Sequence, residues 1–355
     1  MALLSGACRV ADLVSQKQTL VDVDCEESVS RVLFILSQKN VLSAPVSATT
    51  WAAHVQRVDA SGCGAAPAGL SVGAKQYMGI LSVMDCVAFC MNALGPTDAD
   101  FAAALAAPCH AALGTTKESL PLWVEEPLAD AWPTLGRLAG WRHRALVLHA
   151  AGGDPSVLTQ TDVLRYLLQE YKCDKAKGAS TPLVQLVERS PRQLGLGAAS
   201  SKKALVSVTE ETNLILALGL MLENDLNAMP VLAESSGRLV GTLSLSDLRG
   251  TIAARLPWMA TTTVAAFIQR HHPKMQWWHH PSLSWLDVPK PLTCDLDDSL
   301  IEITEAMLHG KVHRLWLVDD DEFLRPLDVI TASDLIRAVV EAHDRRSPRD
   351  VAADV

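Results

Sequence analysis

Four aspartates recur at nearly even intervals, each three residues after a hydroxyl: Ser82 with Asp85, Thr159 with Asp162, Ser244 with Asp247, and Thr331 with Asp334. A hydroxyl and a carboxylate at that spacing have two uses. At a helix start they accept hydrogen bonds from backbone N–H groups that lack an intrahelical partner. The same N–H groups and the positive end of the helix dipole can hold a phosphate, while the carboxylate can accept both hydroxyls of a ribose. For one copy, capping is the simpler reading. Four copies in one register favour a ligand, and two of them have basic companions, His143-Arg144 and His313-Arg314. An Arg fork matches phosphate geometrically, and a protonated His adds a donor, so affinity would rise toward lower pH. The alternative for His313 is a ring bonded to a neighbouring backbone group; Arg314 and Asp334 beside it favour phosphate.

Each turn is framed by the same elements, an apolar strand before it and an apolar helix after it, as in Gly241-Thr242-Leu243-Ser244-Leu245-Ser246-Asp247. The chain therefore reads as four copies of one small α/β unit, longer than a solenoid repeat. The pattern predicts, in each, a one-sided helix, a strand, a turn, a second strand and a closing helix. In the first copy Ser28 caps a helix with Val29, Val32, Leu33 and Leu36 as its buried face, and Ser61 to Gly73 is an inserted loop. In the second, Pro133 interrupts the first helix pattern. In the third, Thr212 caps a helix through Leu214, Leu216, Leu218 and Leu222, followed by the strand 228–232, and Asp247 opens the closing helix. In the fourth, Ser299 caps a helix through Ile301, Ile303, Ala306 and Met307, followed by the strand 314–318.

Composition limits the partners. With 40 acidic against 31 basic residues and a net charge of −9, and no long basic run, nucleic acid is excluded as the expected partner. No apolar run is long enough to span a bilayer, so no membrane partner is expected. The eight cysteines show no metal or disulfide spacing, and Cys86 and Cys90, one helical turn apart, read as buried thiols in a reducing compartment. His271-His272 and His279-His280 around Trp277-Trp278 match no common ligand pattern. No phosphate-binding Gly-rich loop, zinc-protease helix or nucleophile elbow is present, so no enzyme, catalytic residue or metal is expected.

The repeat resembles the CBS domain, a small α/β unit that pairs pseudo-symmetrically around clefts for adenosine-containing ligands. Four copies with nothing catalytic attached look like the gamma regulatory subunit of the AMP-activated and sucrose-nonfermenting protein kinases, including the gamma-like proteins of plants. The stretch Lys311-Val312-His313-Arg314-Leu315-Trp316-Leu317-Val318-Asp319, followed by Ile330-Thr331-Ala332-Ser333-Asp334-Leu335, carries the resemblance most strongly. In that family the His-Arg pairs reach nucleotide phosphates and the Asp of each repeat binds ribose. The implied nucleotide-binding set is Ser82, Asp85, His143, Arg144, Thr159, Asp162, Ser244, Asp247, His313, Arg314, Thr331 and Asp334. Two departures stand out. Leu42 occupies the place of a phosphate-binding Arg in the first copy, and Asp162 stands where animal members have a basic residue.

The expected architecture is α/β, four CBS repeats in two pseudo-symmetric pairs. The first pair spans 1-172, with repeats at about 8-95 and 115-171; 173-203 is a linker; the second pair spans 204-347, with repeats at about 204-256 and 290-345; 348-355 is a tail. The leading expectation is a non-catalytic, cytoplasmic or nuclear regulator that binds AMP, ADP or ATP as regulatory ligands, uses no cofactor, and works with kinase alpha and beta subunits, with self-association through the CBS pairs as a further option. The competing expectation is an interaction scaffold whose clefts no longer bind.

Overall fold

A computed structural model describes residues 8–14, 20–48, 70–72, 75–92, 98–117, 119, 122–140, 142–148, 155–197, 205–271, 291–319 and 324–345. The repeat is present four times. Each copy has a two-residue strand parallel to a longer strand, which pairs antiparallel with the strand that ends in the hydroxyl of the turn. The three are Val23–Asp24, Ser43–Ala48 and Lys75–Ser82 in the first copy; Val124–Glu125, Arg144–Val147 and Ser156–Thr159 in the second; Val208–Thr209, Ala228–Leu232 and Leu239–Ser244 in the third; and Thr293–Cys294, Arg314–Val318 and Pro326–Thr331 in the fourth. A helix bridges each parallel crossover, as parallel pairing requires. The first copy adds Leu70–Val72, paired antiparallel to Lys75–Ser82. Part of the expected inserted loop is therefore strand; its residues 61–69 and 73 lie outside the described residues, as do His272, Trp277-Trp278, His279-His280 and the tail 348-355.

The four copies form two compact units. One contains 20–122 and 206–290, the first and third repeats; the other contains 1–19, 123–205 and 291–355, the second and fourth. The compact units thus take one repeat from each half of the chain, across the division at 172 and 204 read from the sequence. The segment 173-203 lies within the second of these units and is more than a linker. Thr181 caps the helix Pro182–Val187 and Ser190 caps Pro191–Leu194. Leu183, Leu186 and Val187 join the core of the second and fourth repeats.

Each unit has its own core. In the first-and-third unit, Val29, Val32, Leu33 and Leu36 of the helix Val29–Gln38 are buried, with Ser28 accepting from the Arg31 N–H as expected. They pack with Leu214, Ala217, Leu218 and Met221 of the helix Leu214–Glu223. This is the i, i+3, i+4, i+7 face, so Leu216, expected inside, is 66% exposed: two residues along a helix is over half a turn away from Leu214. The cap of this helix is Asn213, whose side chain accepts from the N–H groups of Ile215 and Leu216; Thr212 instead accepts from the Thr209 N–H. In the other unit the helix Ala131–Leu138 survives Pro133, because the proline sits in the first turn, where its missing N–H has no intrahelical acceptor to lose. Trp132 of that helix stacks on His343 at 3.6 Å between ring centroids, tying it to the closing helix Ala332–Asp344 of the fourth repeat. Ser299 caps Leu300–Gly310 in a reciprocal box with Glu302, as the sequence implies.

Candidate functional site

All four hydroxyl-x-x-Asp turns close on themselves in the same way. The carboxylate reaches back to the hydroxyl residue and accepts from its backbone N–H, at 2.8 Å for Asp85 and Ser82, 2.8 Å for Asp162 and Thr159, 2.7 Å for Asp247 and Ser244, and 2.9 Å for Asp334 and Thr331. The same oxygen, Oδ2, accepts the side-chain hydroxyl in each. One carboxylate oxygen thus belongs to the cap in every repeat. What differs is the environment of the other, Oδ1.

In the second and fourth repeats an arginine three residues further on approaches that oxygen. Arg165 Nη1 donates to Asp162 Oδ1 at 3.4 Å, and Arg337 Nη1 to Asp334 Oδ1 at 2.9 Å. Arg337 also donates to the Ala139 carbonyl at 2.9 Å, linking the fourth repeat to the second. The helices behind these turns are long, Gln160–Ala176 and Ala332–Asp344, so each offers a full dipole at its start. The two turns also face each other's neighbours. Thr161 Oγ1 lies 3.1 Å from His313 Nε2, and Gln160 Nε2 donates to Ser333 Oγ at 2.7 Å. His143-Arg144 and His313-Arg314 occupy matching places, since Arg144 pairs with Thr159 and Arg314 with Thr331 in the strand register. Arg142, next to His143, has its pKa lowered, first by burial and then by the nearby Arg137 charge. Arg137 is itself paired with Glu125 at 3.1 Å.

The first and third repeats depart from this arrangement. Asp85 is fully buried, and its Oδ1 accepts from both the backbone N–H and the hydroxyl of Thr116, at 2.9 and 2.6 Å. With Ser82 on the other oxygen, four donors engage this carboxylate. Burial is nevertheless the larger influence and pushes its pKa above the ordinary 3.8. Asp162 is equally buried, at 1% exposure, so what sets Asp85 apart is the partner of its second oxygen, Thr116 in place of an arginine. Asp247 is less buried, but the helix it was expected to open is a single 3-10 turn, Leu245–Leu248. This turn ends at Arg249, whose backbone leaves the helical region at ψ 132°, Gly250 follows at φ +79°, and helical structure resumes with the 3-10 turn Ala253–Arg255 leading into Leu256–Thr261. Leu42 and Asn227 stand where His313 stands in the fourth repeat. Their carbonyls accept from Val83 and Leu245 at 2.8 and 3.0 Å just as the His313 carbonyl accepts from Ala332 at 2.9 Å.

Sequence reasoning missed Gln160, Thr161, Arg142, Arg165, Ser333 and Arg337. For two of them a signal was present. The turn extends to Asp-x-x-Arg at Asp162-Arg165 and Asp334-Arg337, whereas the other two turns place Ala88 and Gly250 there. Residues three apart share a helix face, so this Arg falls beside the carboxylate.

Comparison with known proteins agrees with this fold. The family model of the CBS domain matches residues 201–254 and 286–341, within the third and fourth repeats. The SNF1-related protein kinase regulatory subunit gamma-like PV42b of Arabidopsis thaliana is 23% identical over 94% of this chain and 95% of its own length. The 5'-AMP-activated protein kinase subunit gamma-3 of Homo sapiens is 27% identical over 56% of this chain and 35% of its own. Among solved structures, a Methanocaldococcus jannaschii protein described as an archaeal homologue of the AMP-activated kinase gamma subunit superposes with a TM-score of 0.60 at 19% identity, covering 93% of this chain and 99% of that one. No helix among the described residues is long and apolar enough to cross a membrane. The second half of the chain thus matches the CBS-domain model twice, and the chain as a whole is similar to a gamma-like regulatory subunit of the SNF1-related protein kinases.

Proposed function

We propose that this chain is a non-catalytic regulatory subunit that binds adenine nucleotides in the unit made by its second and fourth repeats and passes their phosphate state to a protein kinase complex. The observation that carries this reading is the meeting of His313 with the Asp162 turn, through Thr161 at 3.1 Å, in the unit that also holds His143-Arg144 and Arg314. Asp162 and Asp334 are the ribose acceptors, each giving up the Arg bond on Oδ1 while keeping its cap on Oδ2. Thr159 and Thr331 preserve the turns. His143, Arg144, His313 and Arg314 face the phosphates. Ser244 and Asp247 form a weaker subsite without a helix dipole, and Ser82 and Asp85 serve folding.

AMP, ADP and ATP share adenine and ribose, so discrimination falls to the phosphate end. A ligand alters a partner only as far as it binds the signalling and silent states differently, which makes those His and Arg residues the regulatory ones. Relatives named as protein kinase subunits support a kinase complex as the partner; the alpha and beta subunits and a cytoplasmic or nuclear setting belong to the proposal. Calorimetric titration with each nucleotide tests the reading: saturable binding is expected, and none at millimolar concentration would sink it.

A second reading, a scaffold without ligands, is favoured by one observation, the closed Asp85 turn. It predicts a melting temperature indifferent to nucleotide together with intact kinase association.

A further inference from the structure

Outside these turns, the unit of the first and third repeats gathers a thiol, a carboxylate and an imidazole. Cys25 and Glu26 follow the strand Val23–Asp24, and His110 belongs to the 3-10 turn Cys109–Ala112. Backbone hydrogen bonds clip these distant segments together: Cys109 N donates to Glu27 O at 2.7 Å, Val29 N to Ala107 O at 2.9 Å, and His110 N to Cys25 O at 3.3 Å. One donor atom from each of Cys25, Glu26 and His110 lies within 4.8 Å of the others. His110 Nδ1 is 3.9 Å from Glu26 Oε1. Cys25 is buried, whereas the His110 and Glu26 side chains are 24% and 51% exposed, so the group runs from the interior to solvent and an ion can reach it.

We propose that Cys25, Glu26 and His110 form a binding site for a borderline divalent transition ion, with Zn2+ the best match. Thiolate sulfur, imidazole nitrogen and carboxylate oxygen are the mixed donors that Zn2+ accepts, and three protein ligands leave one position for water. Bond lengths of about 2.0–2.3 Å place tetrahedral ligands roughly 3.5 Å apart, so binding draws the donors inward by about 1 Å. The two clipped segments fix the backbone, and the half-exposed Glu26 side chain supplies the movement. His110 Nδ1 now lies 3.0 Å from the Cys25 carbonyl, a contact the ion replaces. On binding, the Cys25 thiol gives its proton to solvent as the sulfur–metal bond forms, with no change of oxidation state. Cys109 directs its thiol at the Asp24 and Cys25 carbonyls, at 3.3 and 3.6 Å, and supports the ligand turn without joining it. The site is independent of the nucleotide reading.

The test is a Co2+ titration of the full chain, stripped with chelator and kept reduced, followed by thiolate-to-cobalt absorption. The parent and Cys109→Ser should show that absorption, with Zn2+ displacing the cobalt and raising the melting temperature. Cys25→Ser should abolish it. Glu26→Gln, at an exposed position where folding is insensitive, should weaken cobalt binding at least roughly tenfold, since even outer-shell losses at metal sites reach that size. Absence of the band in the parent, a band that survives Cys25→Ser, or full affinity in Glu26→Gln would each overturn the site.

Discussion

The two compact units are built from the same repeat and differ in what stands around the same turn. In the second and fourth repeats the residue before the middle strand is His143 or His313, the strand opens with Arg, and Arg165 or Arg337 meets the second carboxylate oxygen. In the first and third, the matching residues are Leu42-Ser43 and Asn227-Ala228, and the place of the second arginine holds Ala88 or Gly250. The scaffold is retained in both. Helix capping needs only the hydroxyl and one carboxylate oxygen, which all four turns supply, whereas holding an anion needs fixed cations, and among the described residues the His-Arg pairs stand in the unit of the second and fourth repeats. On the proposed function, one aspartate carries a folding role on one oxygen and a binding role on the other.

The sharpest way to break that comparison is Asp85→Ala. It strands the four donors of Ser82 and Thr116 in a buried turn, and the expected loss of folding stability is about 3 kcal/mol or more, read by chemical denaturation. Nucleotide affinity should stay unchanged. The effect carries a pH signature. Because burial raises the Asp85 pKa in the folded chain above 3.8, the folded state takes up the proton first. The parent's contribution from this group is then fully present below the unfolded carboxylate value and is lost as pH rises through the raised folded value. The stability gap between parent and variant should therefore widen on acidification across that window; a narrowing gap would mean that the four hydrogen bonds outweigh burial.

Asp334→Ala sharpens the other side. Loss of a hydrogen bond to a charged group should weaken nucleotide binding by about 1.5–3 kcal/mol, roughly tenfold to more than a hundredfold, and lower folding stability by only the capping share of ~1 kcal/mol. Asp247→Ala should affect binding less, having no helix dipole behind it; equal losses at Asp247 and Asp334 would erase the distinction between the units. Ser299→Ala, in a cap remote from any proposed ligand, should cost about 1 kcal/mol of stability and leave binding alone. The smallest effect belongs to Lys117→Ala, which removes an exposed ion pair with Asp225 at 2.8 Å and should change stability by less than about 1 kcal/mol.

Much of this was legible in the chain. The hydroxyl-x-x-Asp register located all four turns, and the strands before them fell where the apolar runs predict, because a strand closed by a cap leaves a local signature. Two kinds of feature were not legible. Thr116 reaches Asp85 from a segment 31 residues away, and a contact of that separation leaves no periodic trace. The packing of second with fourth repeat rests on contacts such as Gln160 with Ser333 and Trp132 with His343, where single polar or aromatic residues decide and no periodic pattern announces them. The shortened turn at Leu245–Leu248 lies between these cases. Gly250 was visible, but only the backbone shows that the turn has already ended at Arg249.

The most direct test of the account is competition calorimetry of AMP, ADP and ATP on the parent, on Arg144→Ala with Arg314→Ala, and on Asn227→Ala, at the place of His313 in the other unit, as a control. The account predicts saturable binding by the parent, at least roughly tenfold weaker binding by the double variant, and parental affinity in Asn227→Ala. Unchanged affinity in a folded double variant, or a loss confined to Asn227→Ala, would contradict the assignment of the nucleotide site to the second and fourth repeats.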